Sequence, residues 1–330
     1  MEEISNLKEL LIYVANEYEE KILYRQKEIT YKDFKEKVNV LGTALINIGL
    51  KDKKIGIISE NRYEWEVSFF SIACGAGIVV PIDKSLTKVE IENIINRAKI
   101  EAIFCSSKYE KILQEIKESN QYLKYVISFD STDDNAFYQL ISKGQTSINN
   151  GDRRYIDAKV NSNDICLISF TSGTTNISKA VPLTHKNICS NLINVSKVFK
   201  LTKKDICLSI LPLNHVLEGL FCFLLSIYNG SERVHCNQID DIIDYIRKYK
   251  ITYMGGVPAI YEYLNKRKDE LIKETEHINM FMSGGANLPP ELVLKYREIG
   301  IDLVQGYGLT ECSPVVSIEN KESQKLGSVR

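Results

Sequence analysis

Three short segments of this 330-residue sequence combine glycine, hydroxyls and charge in ways that suit a phosphate-bearing ligand. The first is Ser169-Phe170-Thr171-Ser172-Gly173-Thr174-Thr175-Asn176-Ile177-Ser178-Lys179. Thr171, Ser172, Gly173, Thr174 and Thr175 are all small or hydroxylated, and Lys179 follows four positions on. So little bulk lets backbone N–H groups and hydroxyls turn toward an anion that the lysine can also reach. A solvated Ser/Thr loop would read the same way, and the spacing of a Walker loop is absent. The second segment, Ser283-Gly284-Gly285-Ala286-Asn287-Leu288-Pro289-Pro290, allows close backbone approach to a flat ligand before prolines start a helix. A tight strand-to-helix turn explains it equally well. In the third, Gln305-Gly306-Tyr307-Gly308-Leu309-Thr310-Glu311, glycines flank a tyrosine whose ring can lie flat as a stacking platform. The Thr310 hydroxyl and Glu311 carboxylate then suit one phosphate oxygen and one Mg²⁺.

Each segment follows a strand-like run, and the surrounding pattern explains why. From residue 54 onward, short aliphatic runs at 55–59, 78–82, 102–105 and 125–129 alternate with helical spacing. Thr87-x-x-Glu90 reads as a capping box before Ile91, Ile94, Ile95 and Ala98 on one face. Residues 130–163, rich in Ser, Asn, Asp and Gly, read as a loop-rich excursion. The beat resumes at 165–170 and continues with strand-like runs at 206–211, 251–255, 278–282 and 302–305. Helical patterns lie between them near 186–200, 216–229, 239–249, 259–275 and 290–298. This alternation predicts an α/β fold of mainly parallel sheets flanked by helices, in two lobes. Ligands of such sheets sit beyond the carboxyl ends of the strands, where the three segments fall.

Taken together, the first and third segments resemble the phosphate loop and the Y-G-x-T-E motif of the adenylate-forming superfamily. That superfamily comprises acyl-CoA synthetases, luciferases and peptide-synthetase adenylation domains. The Ser283–Leu288 turn resembles the segment between those motifs, and Leu211-Pro212-Leu213-Asn214-His215-Val216-Leu217-Glu218 resembles a segment of long- and medium-chain fatty acyl-CoA synthetases. The resemblance implies a large N-terminal AMP-binding domain, with one lobe at roughly 52–195 and the other at roughly 1–51 plus 196–320. It implies activation of a carboxylic acid, a long-chain fatty acid, by ATP and transfer to coenzyme A, with Mg²⁺; an acyl carrier protein is the alternative acceptor. By motif position, Thr171–Thr175 and Lys179 would cradle phosphate. Gly284, Gly285, Ala286, Gln305, Gly306, Tyr307 and Gly308 would shape the adenine slot. His215 would line the acyl pocket, Thr310 would contact the α-phosphate, and Glu311 with Thr171 would face the metal. Lys179, His215, Thr310 and Glu311 are the candidates for direct chemistry.

Two departures qualify these expectations. Asn176, Ser178 and Ala180 stand where the family's phosphate loop commonly has Gly, Pro and Gly, which removes rigidity more than chemistry. The family's ribose-binding aspartate, hinge and mobile C-terminal lobe all lie beyond the third motif, so a truncated core, or a non-catalytic nucleotide- or acyl-binding protein, is a competing expectation. Composition is neutral: Lys+Arg 42 against Asp+Glu 43 gives no basic excess for nucleic acid. The eight cysteines form no C-x-x-C pair and read as buried thiols of a reduced cytoplasm. A position peripheral to the membrane is the alternative location, since no apolar run is long enough to span one.

Overall fold

The computed structural model describes residues 4–171, 178–320, 322 and 324–329. Along the first part of the chain lie α1 (Leu7–Glu17), β1 (Ile22–Tyr24), β2 (Ile29–Thr30), α2 (Tyr31–Asn47) and β3 (Lys53–Ile58). There follow α3 (Tyr63–Ser71), β4 (Gly77–Pro81), α4 (Lys88–Ala98), β5 (Ala102–Cys105) and α5 (Ser107–Ser119). Next come β6 (Tyr125–Ser128), α6 (Phe137–Asn149), β7 (Ile165–Thr171), β8 (Lys179–Thr184) and α7 (His185–Val198). The second part holds β9 (Ile206–Ser209), α8 (Phe223–Tyr228), β10 (Glu232–His235), α9 (Ile242–Tyr249) and β11 (Tyr253–Gly256). It ends with α10 (Pro258–Lys266), α11 (Lys268–Leu271), β12 (Met280–Ser283), α12 (Pro290–Glu298), β13 (Leu303–Gly308) and β14 (Val315–Ile318).

The chain divides into two compact units. One is Met1–Glu20 with Tyr31–Cys189, the other Lys21–Thr30 with Ser190–Arg330. Among the described residues, the first unit holds a six-stranded sheet ordered β6-β5-β3-β4-β7-β8. Its pairs are parallel except β7–β8. Ile58, Val80, Ile94, Ile103 and Leu113 fill one side of it. The capping box at Thr87 and Glu90 forms as expected and starts α4. The second unit holds an eight-stranded sheet ordered β14-β13-β12-β11-β9-β10-β1-β2, parallel except for the pairs at its two ends. Its core gathers Leu208, Val234, Ile246, Met254, Tyr261, Phe281 and Leu303. No helix among the described residues is long and apolar enough to cross a membrane.

Four expectations change. Residues 1–51 do not all join the second lobe: α1 and α2 fall in the first unit, and only Lys21–Thr30 goes with the second. The reason is pairing, because β1 runs parallel to β10 with Tyr24 opposite Arg233. Residues 130–163 are not merely loop, since α6 occupies Phe137–Asn149 and buries Phe137, Leu140 and Gly144. A Cβ at Gly144 would lie 2.1 Å from the Val40 carbonyl oxygen, so the glycine marks a close helix contact where the sequence suggested a turn. The expected helix at 216–229 is a π-helical turn over Leu217–Cys222 that continues into α8. Seven cysteines are buried as read, whereas Cys312 is exposed.

Candidate functional site

The turns that leave β12 and β13, with the segment that follows β9, converge on one open cavity in the second unit. His215, Leu217, Phe221, Met282, Gly284, Gly285, Gly306, Tyr307, Gly308 and Ile318 are among its lining. The strand register brings them together: β12 lies beside β13 with Met282 opposite Val304 and Ser283 opposite Gln305. Tyr307 is 45% exposed at the end of β13, and it lines the same cavity as Gly284 and Gly285. Gly308 is required by crowding, because a Cβ there would sit 2.4 Å from the Pro314 carbonyl oxygen. Gln305 is buried and donates from Nε2 to the Ala286 carbonyl at 3.5 Å, tying the two glycine turns to each other.

Thr310 and Glu311 occupy a 3₁₀ turn, Thr310–Cys312, just beyond β13. Glu311 is exposed and Thr310 half-buried, and neither lines the cavity. Asn191 of α7 fixes this turn. Its Nδ2 donates to the Val315 carbonyl at 2.8 Å and to the Cys312 carbonyl at 3.3 Å, and its Oδ1 accepts from Val315 N–H at 3.3 Å. Beneath β13, the buried Glu319 accepts from Gln305 N–H at 2.9 Å and from Gln324 at 3.0 Å. Sequence reading found neither Asn191, whose partners lie more than a hundred residues along the chain, nor Glu319, which lies beyond the last of the three segments.

His215 is exposed, and its Nδ1 accepts from Leu217 N–H at 3.3 Å, so a neutral ring carries its proton on Nε2. Glu218, three residues on, is fully buried against Arg233 at 3.3 Å. Arg233 also donates to Ser226 Oγ at 2.8 Å and lies over the Phe223 ring at 5.0 Å.

In the first unit, Thr171 ends β7 and Lys179 begins β8, paired opposite each other across an antiparallel hairpin. Ser172, Gly173, Thr174 and Thr175 lie outside the described residues. Arg97 of α4 spans both limbs: its guanidinium lies over the Phe170 ring at 5.7 Å and donates to the Ser178 carbonyl. Among the described residues, no three His, Cys, Asp or Glu side chains gather to hold a metal ion. Mg²⁺ keeps several waters and is bound through one or two carboxylates plus substrate phosphates, so the exposed Glu311 carboxylate fits that ion without such a cluster.

A family model described as AMP-binding enzyme matches residues 13–329. The chain belongs to that family. It is 24% identical over 286 residues to a putative acyl–CoA ligase, YdaB, of Bacillus subtilis, covering 86% of this chain and 56% of the relative. It is 27% identical over 301 residues to 4-hydroxybutyrate–CoA ligase 2 of Metallosphaera sedula, covering 88% and 54%. The N-terminal domain of FACL13 from Mycobacterium tuberculosis superposes with a TM-score of 0.84 at 19% identity, over 97% of this chain and 80% of that one. The fold is therefore that of the N-terminal domain of adenylate-forming enzymes. The chain spans about half the length of the curated relatives it matches.

Proposed function

We propose that this protein is the AMP-binding core of an ATP-dependent acid–thiol ligase acting on a fatty acid. The observation that carries the reading is the single cavity in which Tyr307, the Gly284-Gly285 backbone and His215 meet an apolar interior. A flat, polar-edged base suits the glycine-and-tyrosine end, and a hydrocarbon tail suits the other. In the reaction, a carboxylate oxygen attacks the α-phosphorus of ATP and the bond to the bridging oxygen breaks, releasing pyrophosphate. A thiol sulfur then attacks the acyl carbon, AMP leaves, and the thiol gives up its proton. Charge spreads over the transferring and leaving oxygens, so positioning and cationic stabilisation dominate.

Within this reading, Lys179 and the hydroxyl loop from Thr171 to Thr175 hold the β- and γ-phosphates. Thr310 would contact the α-phosphate, and Glu311 and Thr171 are the residues that would hold the metal. Mg²⁺, when bound, neutralises phosphate charge. Coenzyme A supplies the thiol, with the pantetheine arm of an acyl carrier protein as the second acceptor to be tried. The fatty preference rests on the segment from Leu211 to Glu218. Pyrophosphate release with panels of fatty acids and amino acids tests the substrate class. Glu311→Gln is expected to cut the acid-dependent signal sharply, and an unchanged signal would remove Glu311 from the site.

A further inference from the structure

The cavity has an open end and a closed one. Gly285, Tyr307 and Gly308 are exposed at its mouth, whereas Phe221 and Met282 inside it are 2% and 1% exposed. Beyond Phe221 the space is occupied. The Phe199 ring meets Phe221 edge-on at 5.7 Å and meets Tyr253 at 5.4 Å. Tyr253 Oη and Cys222 Sγ lie 3.8 Å apart, and burial pushes that thiol well above its usual range, so it stays protonated. All four side chains are buried. Interiors packed at this density do not admit extra methylenes without displacing side chains, and such overpacking is destabilising.

The wall is also held from behind. Phe221 rides on the π-helical turn Leu217–Cys222, which is tethered at two of its residues by Arg233 of β10. One guanidinium nitrogen meets Glu218 at 3.3 Å, and the other donates to the Cys222 carbonyl at 3.4 Å. A tethered π-helical turn cannot rotate Phe221 aside as an untethered loop would. The cavity lining includes Leu217, Phe221, Met282 and Ile318, and no Asp, Glu, Lys or Arg side chain is among it to meet a second carboxylate.

We propose that Phe221 is the stop that sets acyl length, and that the acid taken by this cavity is a short aliphatic monocarboxylate. The inference rests on the proposal that the cavity holds an acyl adenylate. The test is calorimetric titration of the 330-residue chain with sulfamoyl adenosine and with its butyryl, hexanoyl, dodecanoyl and hexadecanoyl derivatives. Affinity is expected to rise from the tail-less parent to the hexanoyl compound, at up to about fourfold per buried methylene, and to fall for the two longer tails. Phe221→Ala is expected to raise the dodecanoyl-to-hexanoyl affinity ratio. Phe221→Leu, which keeps more of the core filled, is expected to shift it less in the same direction. Tightest wild-type binding by the hexadecanoyl compound, or a ratio unmoved in a folded Phe221→Leu chain, overturns the stop. Failure of every compound, the parent included, overturns instead the adenylate reading on which the stop depends.

Discussion

At the scale of single residues, the cavity-facing groups were legible because their chemistry is local. A tyrosine between glycines, or two glycines after a strand, carries its purpose in three adjacent letters, and Gly284, Gly285, Gly306, Tyr307 and Gly308 all meet at one opening. The groups that hold these residues in place were not legible, because each depends on a distant partner. Asn191 reaches residues more than a hundred positions away, and Arg233 reaches back across a helix to Glu218. That ion pair gives a direct prediction. Truncating one partner of a fully buried pair leaves an uncompensated charge, at a cost of about 3–5 kcal/mol. Glu218→Ala should therefore lower stability by that order in urea unfolding, whereas Glu232→Ala, whose pairs with Lys21 and Arg25 are partly exposed, should cost about 1 kcal/mol or less. Equal small losses from both would show that the buried pair does not anchor the π-helical turn.

At the scale of elements, the strand-like runs at β3–β7, β9 and β11–β13 were found, whereas β1, β2, β8, β10 and β14 were not. β8 and β14 pair antiparallel at sheet edges, and β1 and β2 have only three and two residues, too few for an alternating pattern to stand out. α6 was hidden by its Ser, Gly, Gln and Asn content, although Phe137, Leu140 and Gly144 keep helical spacing. His185 joins elements. Its Nδ1 accepts from Leu7 N–H at 3.2 Å, which ties the start of α1 to the start of α7 inside the first unit. Burial lowers its pKa to about 4 from an ordinary 6.5, against a smaller opposing pull from Asp164. The unfolded chain therefore binds a proton more readily than the native one between these values. Stability from this histidine is complete above about pH 6.5, falls as pH drops toward 4, and levels off below that. The full swing is on the order of 3 kcal/mol. Urea midpoints between pH 7 and 4 should fall less steeply in His185→Gln than in the wild type; parallel curves would remove His185 as the cause.

At the scale of the whole molecule, alternating strands and helices were enough to expect two parallel-sheet units, and the sequence placed the three chemical turns at the ends of strands. It did not reveal that the chain lends Lys21–Thr30 to the second unit between two helices of the first. That exchange depends on a pairing of β1 with β10 across some two hundred residues, which no local pattern encodes. Membership of the AMP-binding enzyme family makes one claim central: the cavity beside Tyr307 binds an adenylate. Thermal unfolding with an acyl sulfamoyl adenosine addresses it most directly, since a ligand at a hundred times its Kd adds about 2.7 kcal/mol to the native state. The wild-type chain should melt at a clearly higher temperature with the ligand. Tyr307→Ala should need about tenfold more ligand for the same rise, from the loss of one stacked base. A wild-type melting temperature unchanged at saturating ligand, or a rise that Tyr307→Ala reproduces at the same concentration, would contradict the account.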